Sequence, residues 1–486
     1  MTVKNLLVFA GLSLSLIFAL DANGQNRSSL FILKENPSAK ADKYSIASVR
    51  ESEIEFTRQN APEISKISFP LFDGKIYDAK RVSTEIRALD DYTWRGNIIE
   101  KDFSGDVILT FRKGFVSGLI YAPNAVYEIV PKGDKQILIE LNQTLFPDCG
   151  GEIKGEETKA NSSNLASVDS GDRIDVLVVY TTATKNFLGG DAQAQTLAQQ
   201  AIDATNTAYI NSKIRQRVRM VHAQEYLYTE TTSGSTDLSN LRSNVDIQNL
   251  RNTHRADLVS MIGEIQGACG VGYLMGADSP NSQNNGFTVT ARSCAVGNLS
   301  FAHELGHNMG SAHNPENGSS STYSFGFGHY VNGNYRTVMS YVDPCANGCT
   351  RRPYFSNPNV VFNGFPTGID NARDNARSIN LTADSIANYR YSGANLMLNN
   401  FNGGDVLPRN IARNLTWSSE NITGNVRIEI SRDESTNWET LIASTPNDGA
   451  ENITIYGRPT RRARVRVVSI DNPIYSDSSV RNVTIR

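Results

Sequence analysis

Hydrophobic and polar positions change period several times along this chain, and each change marks a different kind of element. Short apolar alternations at 106–111, 116–121 and 136–141 are separated by glycine and proline. They predict strands, and the whole stretch from about 25 to 150 reads as β-rich. Residues 150–171 are polar and turn-rich, with Asn161-Ser162-Ser163 and Ser170-Gly171. That composition predicts a linker open to proteases. The run Ile174-Asp175-Val176-Leu177-Val178-Val179-Tyr180 is almost continuously apolar and predicts a strand buried on both faces. A helical period follows over 191–211, then a strand near 218–221, a helix near 245–253 and a strand at 256–262. Such alternation predicts an α/β layer with a mostly parallel sheet. Further strands at 272–275 and 286–291 and a closing helix at about 383–391 complete it. From about 395 short alternating strands return, at 415–417, 426–431 and 463–468, and predict a β-sandwich. The charged alternation Arg464-Val465-Arg466-Val467 predicts a solvated face.

Composition narrows the class. A length of 486 residues predicts roughly three domains. Hydrophobic and charged contents of 39% and 20% are those of a globular protein. A net charge of −3 makes no electrostatic case for nucleic acid or for an anionic membrane. At the N-terminus, Lys4, the apolar run 6–20 and the small residues Ala22 and Gly24 predict an export signal cut after Gly24. The run is short for a spanning helix, and no other stretch approaches about 18 apolar residues. The expectation is a secreted protein with no stable membrane insertion once the signal is removed. Oligomeric state is not written in the pattern. Of five cysteines, Cys269, Cys294, Cys345 and Cys349 surround one region, and an exported chain can join them as two disulfides in any of three pairings. Cys149 is left over.

The candidate chemistry lies in His303-Glu304-Leu305-Gly306-His307-Asn308-Met309-Gly310-Ser311-Ala312-His313, which holds three of the six histidines. On a helix His303 and His307 project from one face. Glu304 is turned roughly 100° away, which sets its carboxylate beside a shared metal ion. Gly310 permits a sharp turn that returns His313 as a third ligand. Neutral imidazole is a good zinc ligand, and three protein ligands leave one position for water. Zinc lowers the pKa of such a water to about 7, and a neighbouring glutamate can take its proton and hand it to a leaving amine. A structural zinc site closes the fourth position and has no use for Glu304. The pattern therefore points to amide hydrolysis.

Together with Thr337-Val338-Met339-Ser340-Tyr341 downstream, this extended motif makes the region from about 172 to 392 resemble the metzincin zinc peptidases. Within them it looks most like the bacterial reprolysin-like (adamalysin-like) group. Ser300-Phe301-Ala302 leading into the motif carries that likeness best, and Tyr354-Phe355-Ser356-Asn357-Pro358-Asn359-Val360 adds to it. The resemblance implies His303, His307 and His313 as ligands of one catalytic Zn2+, Glu304 as general base and Met339 as a hydrophobic floor beneath the metal. It also implies an edge strand at 271–275, where Gly272, Tyr273 and Leu274 would bind an extended peptide by backbone hydrogen bonds. Asn314 stands where reprolysins typically carry aspartate. Met339-Ser340-Tyr341 instead resembles the Met-x-Tyr of astacins and serralysins, which implies Tyr341 as a swinging ligand and oxyanion donor; the alternative is a packed turn residue. Phe146-Pro147-Asp148-Cys149-Gly150-Gly151 is similar to the cysteine-switch motif that ends many metzincin pro-domains. A Cys149 thiolate would then occupy the open position on zinc; the alternatives are a disulfide partner or an inert thiol.

The expected architecture is an α+β/α/β multidomain chain. It comprises a signal peptide (1–24), a β-rich pro-domain with linker (25–170), a metzincin catalytic domain (171–392) and a C-terminal β-sandwich of immunoglobulin or fibronectin type (393–486). The catalytic domain is expected as a twisted mixed sheet with an antiparallel edge strand and an active-site helix. The expected function is that of a secreted zinc endopeptidase made as a zymogen and acting on extracellular proteins or peptides. The competing reading is a non-catalytic secreted binding or adhesion protein with a remnant zinc domain. His222, His254 and His329 read as surface or structural. The Asp/Asn-rich stretch 370–374 offers oxygen ligands for Ca2+, but its spacing is not that of an EF-hand loop.

Overall fold

The computed structural model describes residues 29–34, 44–57, 62–100, 103–155, 168–318, 320–345, 348–435 and 437–486. The expected signal peptide (1–24) and most of the expected linker (156–167) lie outside the described residues. The described residues are β-rich and form six sheets.

The N-terminal part is one nine-stranded antiparallel sheet running from Phe31–Leu33 to Lys135–Leu141. Its two faces are both apolar, and the period of two along each strand sends neighbours to different cores. Val107, Leu109, Ile129 and Leu138 join Trp94, Phe31 and Phe69 on one face. Ile108, Val130 and Ile139 point the other way, into the core of the following part of the chain. The helix Asp191–Asn211 is buried around most of its circumference. It packs on the strands Phe103–Arg112 and Phe115–Tyr121 from the N-terminal sheet and on Arg217–Tyr226 from the next one. Its buried Asp203 accepts hydrogen bonds across that junction from Thr110 Oγ1 at 2.6 Å and Arg87 Nη1 at 3.2 Å.

The second sheet has six strands in the order Glu152–Lys154, Gly270–Leu274, Phe287–Ala291, Leu258–Gly263, Arg173–Thr181, Arg217–Tyr226. Gly270–Leu274 runs antiparallel to Phe287–Ala291 and every other pair is parallel. Two local expectations are corrected and one helix is added. The polar stretch from 150 is not linker throughout, because Glu152–Lys154 adds to the sheet beside Gly270–Leu274. The closing helix is Asn375–Ile386, starting earlier than expected because Asp374 caps it by accepting from the Arg377 amide. A helix absent from the apolar pattern, Gly234–Ser243, is capped in the same way by Ser233. Disulfides join Cys269 to Cys294 and Cys345 to Cys349, which selects one of the three pairings left open by sequence.

Beyond residue 394 the strands form two sheets over one core that includes Trp417, Ile428, Val465 and Ile485. The arginine alternation is not a solvated face: Arg464 is buried and donates to Ser479 O at 2.7 Å. Among the described residues no helix is long and apolar enough to cross a membrane.

Candidate metal centre

The helix Ser300–Asn308 is buried along its whole length. It is fixed to the expected substrate strand by Asn308, whose Nδ2 donates to Tyr273 O and Asn285 O, both at 2.8 Å. The helix stops at Gly310, whose φ of +79° suits glycine, and a Cβ there would lie 2.5 Å from Thr322 Oγ1. The turn returns His313 to the same face as His303 and His307.

The three imidazoles are aimed by their outer nitrogens. His303 Nδ1 donates to Val338 O at 2.8 Å, and His307 Nδ1 donates to Ser311 O at 2.9 Å. Nε2 is thereby left as the lone-pair nitrogen on each ring. The Nε2 atoms converge, His307 to His313 at 3.1 Å and His313 to His303 at 3.2 Å. Zinc–nitrogen bonds of about 2.0–2.1 Å in tetrahedral geometry require separations close to these. Cys149 Sγ lies 3.3 Å from His313 Nε2 and 3.8 Å from His307 Nε2, and the four ligand atoms fall within 4.8 Å of one another. Burial holds the histidines neutral, the form that binds metal: His307 is pushed down to about 4, His313 to about 2 and His303 well below its usual range. The donor set and its spacing fit a tetrahedral zinc ion.

Glu304 is fully buried beside this cluster, against the backbone of Gly270 and Gly272, and neither carboxyl oxygen has a hydrogen-bond partner in the chain. Burial pushes its carboxyl well above the ordinary range, and the Arg351 charge pulls in the opposite direction. Burial and then the Glu304 charge push the Cys149 thiol up. Met339 is buried, and its thioether packs against Gly306 under the helix. Tyr341 packs on His313, the ring centres 4.2 Å apart and tilted by 43°, and its hydroxyl donates to Cys149 O at 3.2 Å. Asn314 Oδ1 accepts from the Tyr341 amide at 3.0 Å. The residue after the third histidine thus ties it to the turn that carries Met339.

The sequence-predicted residues His303, Glu304, His307, His313, Met339, Tyr341 and Cys149 are therefore brought together. Gly272, Tyr273 and Leu274 lie alongside, but they are paired in register with Glu152, Ile153 and Lys154. His222 and His254 stack on each other, and His329 is half-buried and pushed down to about 4 by that burial. Asp374, the last of the proposed calcium ligands, caps a helix, and nothing supports Ca2+ there. Sequence reasoning missed Glu152, whose Oε1 accepts from the His313 amide at 3.1 Å, and the buried pair Arg336 and Arg351. No local pattern marks either.

Comparison with known proteins agrees with this geometry. The profile of metallo-peptidase family M12, reprolysin type, matches residues 170–356. A peptidyl-Asp metalloendopeptidase of Stenotrophomonas maltophilia (strain R551-3) is 30% identical over 308 residues, covering 60% of this chain and 72% of that protein. The protein of the same name from Xanthomonas campestris pv. campestris is 28% identical over 347 residues, covering 65% and 80%. One from Pseudomonas aeruginosa is 31% identical over 262 residues, covering 48% and 43%.

Proposed function

The chain belongs to the reprolysin-like metallopeptidases of family M12 and is a metalloendopeptidase; from that premise we propose that it is a secreted zinc enzyme, made as a latent precursor, that selects peptides at an aspartyl residue. The observation that carries the reading is the convergence of three imidazole Nε2 atoms beside a buried carboxylate. His303, His307 and His313 would hold the ion. Zinc at this position supplies Lewis-acid polarisation of a carbonyl oxygen and makes water a nucleophile near neutral pH. Glu304 takes the proton of the attacking water on its carboxylate and returns it to the leaving amine nitrogen. Its freedom from hydrogen bonds within the chain leaves both oxygens available for that transfer. The Tyr341 hydroxyl donates to the developing oxyanion once it is released from Cys149 O. The aspartyl preference is taken from the names of the relatives.

Latency rests on the same side chains. The Cys149 sulfur faces two of the three histidines, where a thiolate serves as a fourth ligand. The segment after it pairs with Gly270–Leu274, the edge to which a peptide would add. Residues 25–170 therefore act as pro-domain, 171–392 as catalytic domain and 393–486 as an immunoglobulin- or fibronectin-like accessory domain. A protein or quenched-peptide digest, with and without a chelator and alongside Glu304→Gln, tests this. Chelator-sensitive cleavage should fall about 100- to 10,000-fold in the variant with bound zinc retained. Cleavage that survives the substitution would remove Glu304 from the chemistry. Activity should rise when the segment before 171 is cut away.

A further inference from the structure

Two arginines beside the metal centre have no part in the proton transfers above. Arg336 and Arg351 stand directly opposite each other on the parallel strands Tyr335–Arg336 and Thr350–Arg351. They are 2% and 3% exposed. Like charges facing across a strand pair repel, and a buried charge without a counter-ion is costly. Yet their hydrogen bonds all end on neutral oxygens. Arg336 donates to Cys349 O at 3.0 Å, Ser340 O at 2.8 Å and Asn298 Oδ1 at 3.3 Å. Arg351 donates to Asn298 O at 2.8 Å and Ser340 O at 3.1 Å, and its Nε has no partner. Ser340 lies between Met339 and Tyr341, so both guanidiniums sit at the turn beneath the site. The Arg351 charge reaches the centre itself, acting on His303, His313, Glu304 and Cys149.

A buried, self-repelling pair of cations with a spare donor calls for an anion from outside the catalytic part of the chain. Asp148, immediately before Cys149, exerts the largest attraction on Arg351 and also attracts Arg336. Its side chain is exposed, and the segment carrying it is held by Cys269 N donating to Asp148 O at 3.0 Å and by Gln143 Oε1 accepting from the Arg351 amide at 2.7 Å.

We propose that Arg351, backed by Arg336, is the receptor for the acidic side chain of the substrate. The assignment rests on the endopeptidase reading above and names the group behind its selectivity.

The test uses the full chain carrying Cys149→Ser and two quenched peptides that differ only in Asp or Asn at one position. The ratio of their kcat/KM values on one preparation cancels the fraction of open sites. Arg351→Met should lower the Asp/Asn ratio about 10- to 100-fold, and Arg351→Lys, which keeps a charge without the fork, should fall between. Arg336→Met should shift the ratio the same way by less. Methionine keeps the length but takes a donor from the buried Asn298 O and Ser340 O, so a thermal melt checks that the variant is folded and the within-preparation ratio is unaffected by any loss of active protein. An unchanged ratio in both Arg351 variants, with cleavage intact, overturns the assignment and leaves the endopeptidase reading standing. Fluorescence anisotropy of the same peptides on the Cys149→Ser, Glu304→Gln chain reads the preference without turnover. An Arg351-dependent preference in binding but no turnover in the Cys149→Ser chain overturns the endopeptidase reading and sustains the receptor. No preference in binding or turnover overturns the receptor.

Discussion

At the scale of single residues, the side chains proposed to do chemistry are held by neighbours with no chemical role of their own. Asn308 is one turn along from Glu304 and carries no charge, yet its amide donates to three buried carbonyls, Tyr273 O, Asn285 O and, at 3.2 Å, Phe287 O. Those carbonyls belong to the edge strand and to the start of the next strand with the segment leading into it, so one amide sets the height of the helix over both. Asn308→Ala should destabilise the chain by about 2–3 kcal/mol, because several buried carbonyls lose a donor at once, and should lower the urea midpoint accordingly. The histidines show the same logic, since Val338 O and Ser311 O choose the tautomer that a metal needs. The proposed ligands and Glu304 were legible in sequence as one cluster because a helix and one glycine turn fix their spacing locally. Asn308, Glu152, Arg336 and Arg351 were not, because each is defined by a partner far along the chain.

At the scale of elements, the site depends on one turn and one edge. Gly310 redirects the chain after the helix, and a side chain there would meet Thr322 Oγ1 at a φ of +79°. Gly310→Ala should cost about 1–2 kcal/mol and weaken metal affinity by roughly tenfold or more, because the strain is relieved by moving His313. A thermal melt and a competitive metal titration read the two effects separately. The disulfide Cys269–Cys294 anchors the start of the edge strand to the turn before the site helix, enclosing 25 residues of separation. Replacing both cysteines by alanine should lower stability by roughly 3 kcal/mol on the chain-entropy account, measured by denaturant unfolding. Long elements such as Asp191–Asn211 were readable from periodicity. Asn375–Ile386 was misplaced because its first turns are polar and only the cap at Asp374 announces it. Glu152–Lys154 is a strand by pairing, not by composition.

At the scale of the whole molecule, the N-terminal sheet shares a core with the part that carries the site, and one buried acid lies at the junction. Glu128 points from the strand Val126–Lys132 toward Gly297, beside Arg292, whose guanidinium covers Phe187 at 3.6 Å. Burial pushes Glu128 up to about 8, with Arg292 pulling it back. Its pKa in the folded chain is thus above its unfolded value, so the folded state binds the extra proton. The contribution of Glu128 to stability is flat below about pH 4.5 and falls as the pH rises from there to about 8, by up to about 1.4 kcal/mol per unit. The N-terminal sheet should therefore loosen from the remainder at alkaline pH. Limited proteolysis followed from pH 5 to pH 8.5 reads this directly, and Glu128→Gln should flatten the dependence.

The sequence by itself determined what is local: three histidines, a glutamate and a glycine turn, whose relative positions follow from helix geometry, together with the odd cysteine and the broad succession of β, α/β and β regions. Tertiary structure decided what depends on pairing between distant segments. It chose the disulfides, filled the expected substrate edge with Glu152–Lys154, buried the face that carries Arg464 and set two arginines opposite each other beneath the candidate site. The physical reason is that helix and turn geometry are fixed by neighbours in the chain. Strand partners and the company of buried charges are fixed only when segments far apart in sequence exclude water together.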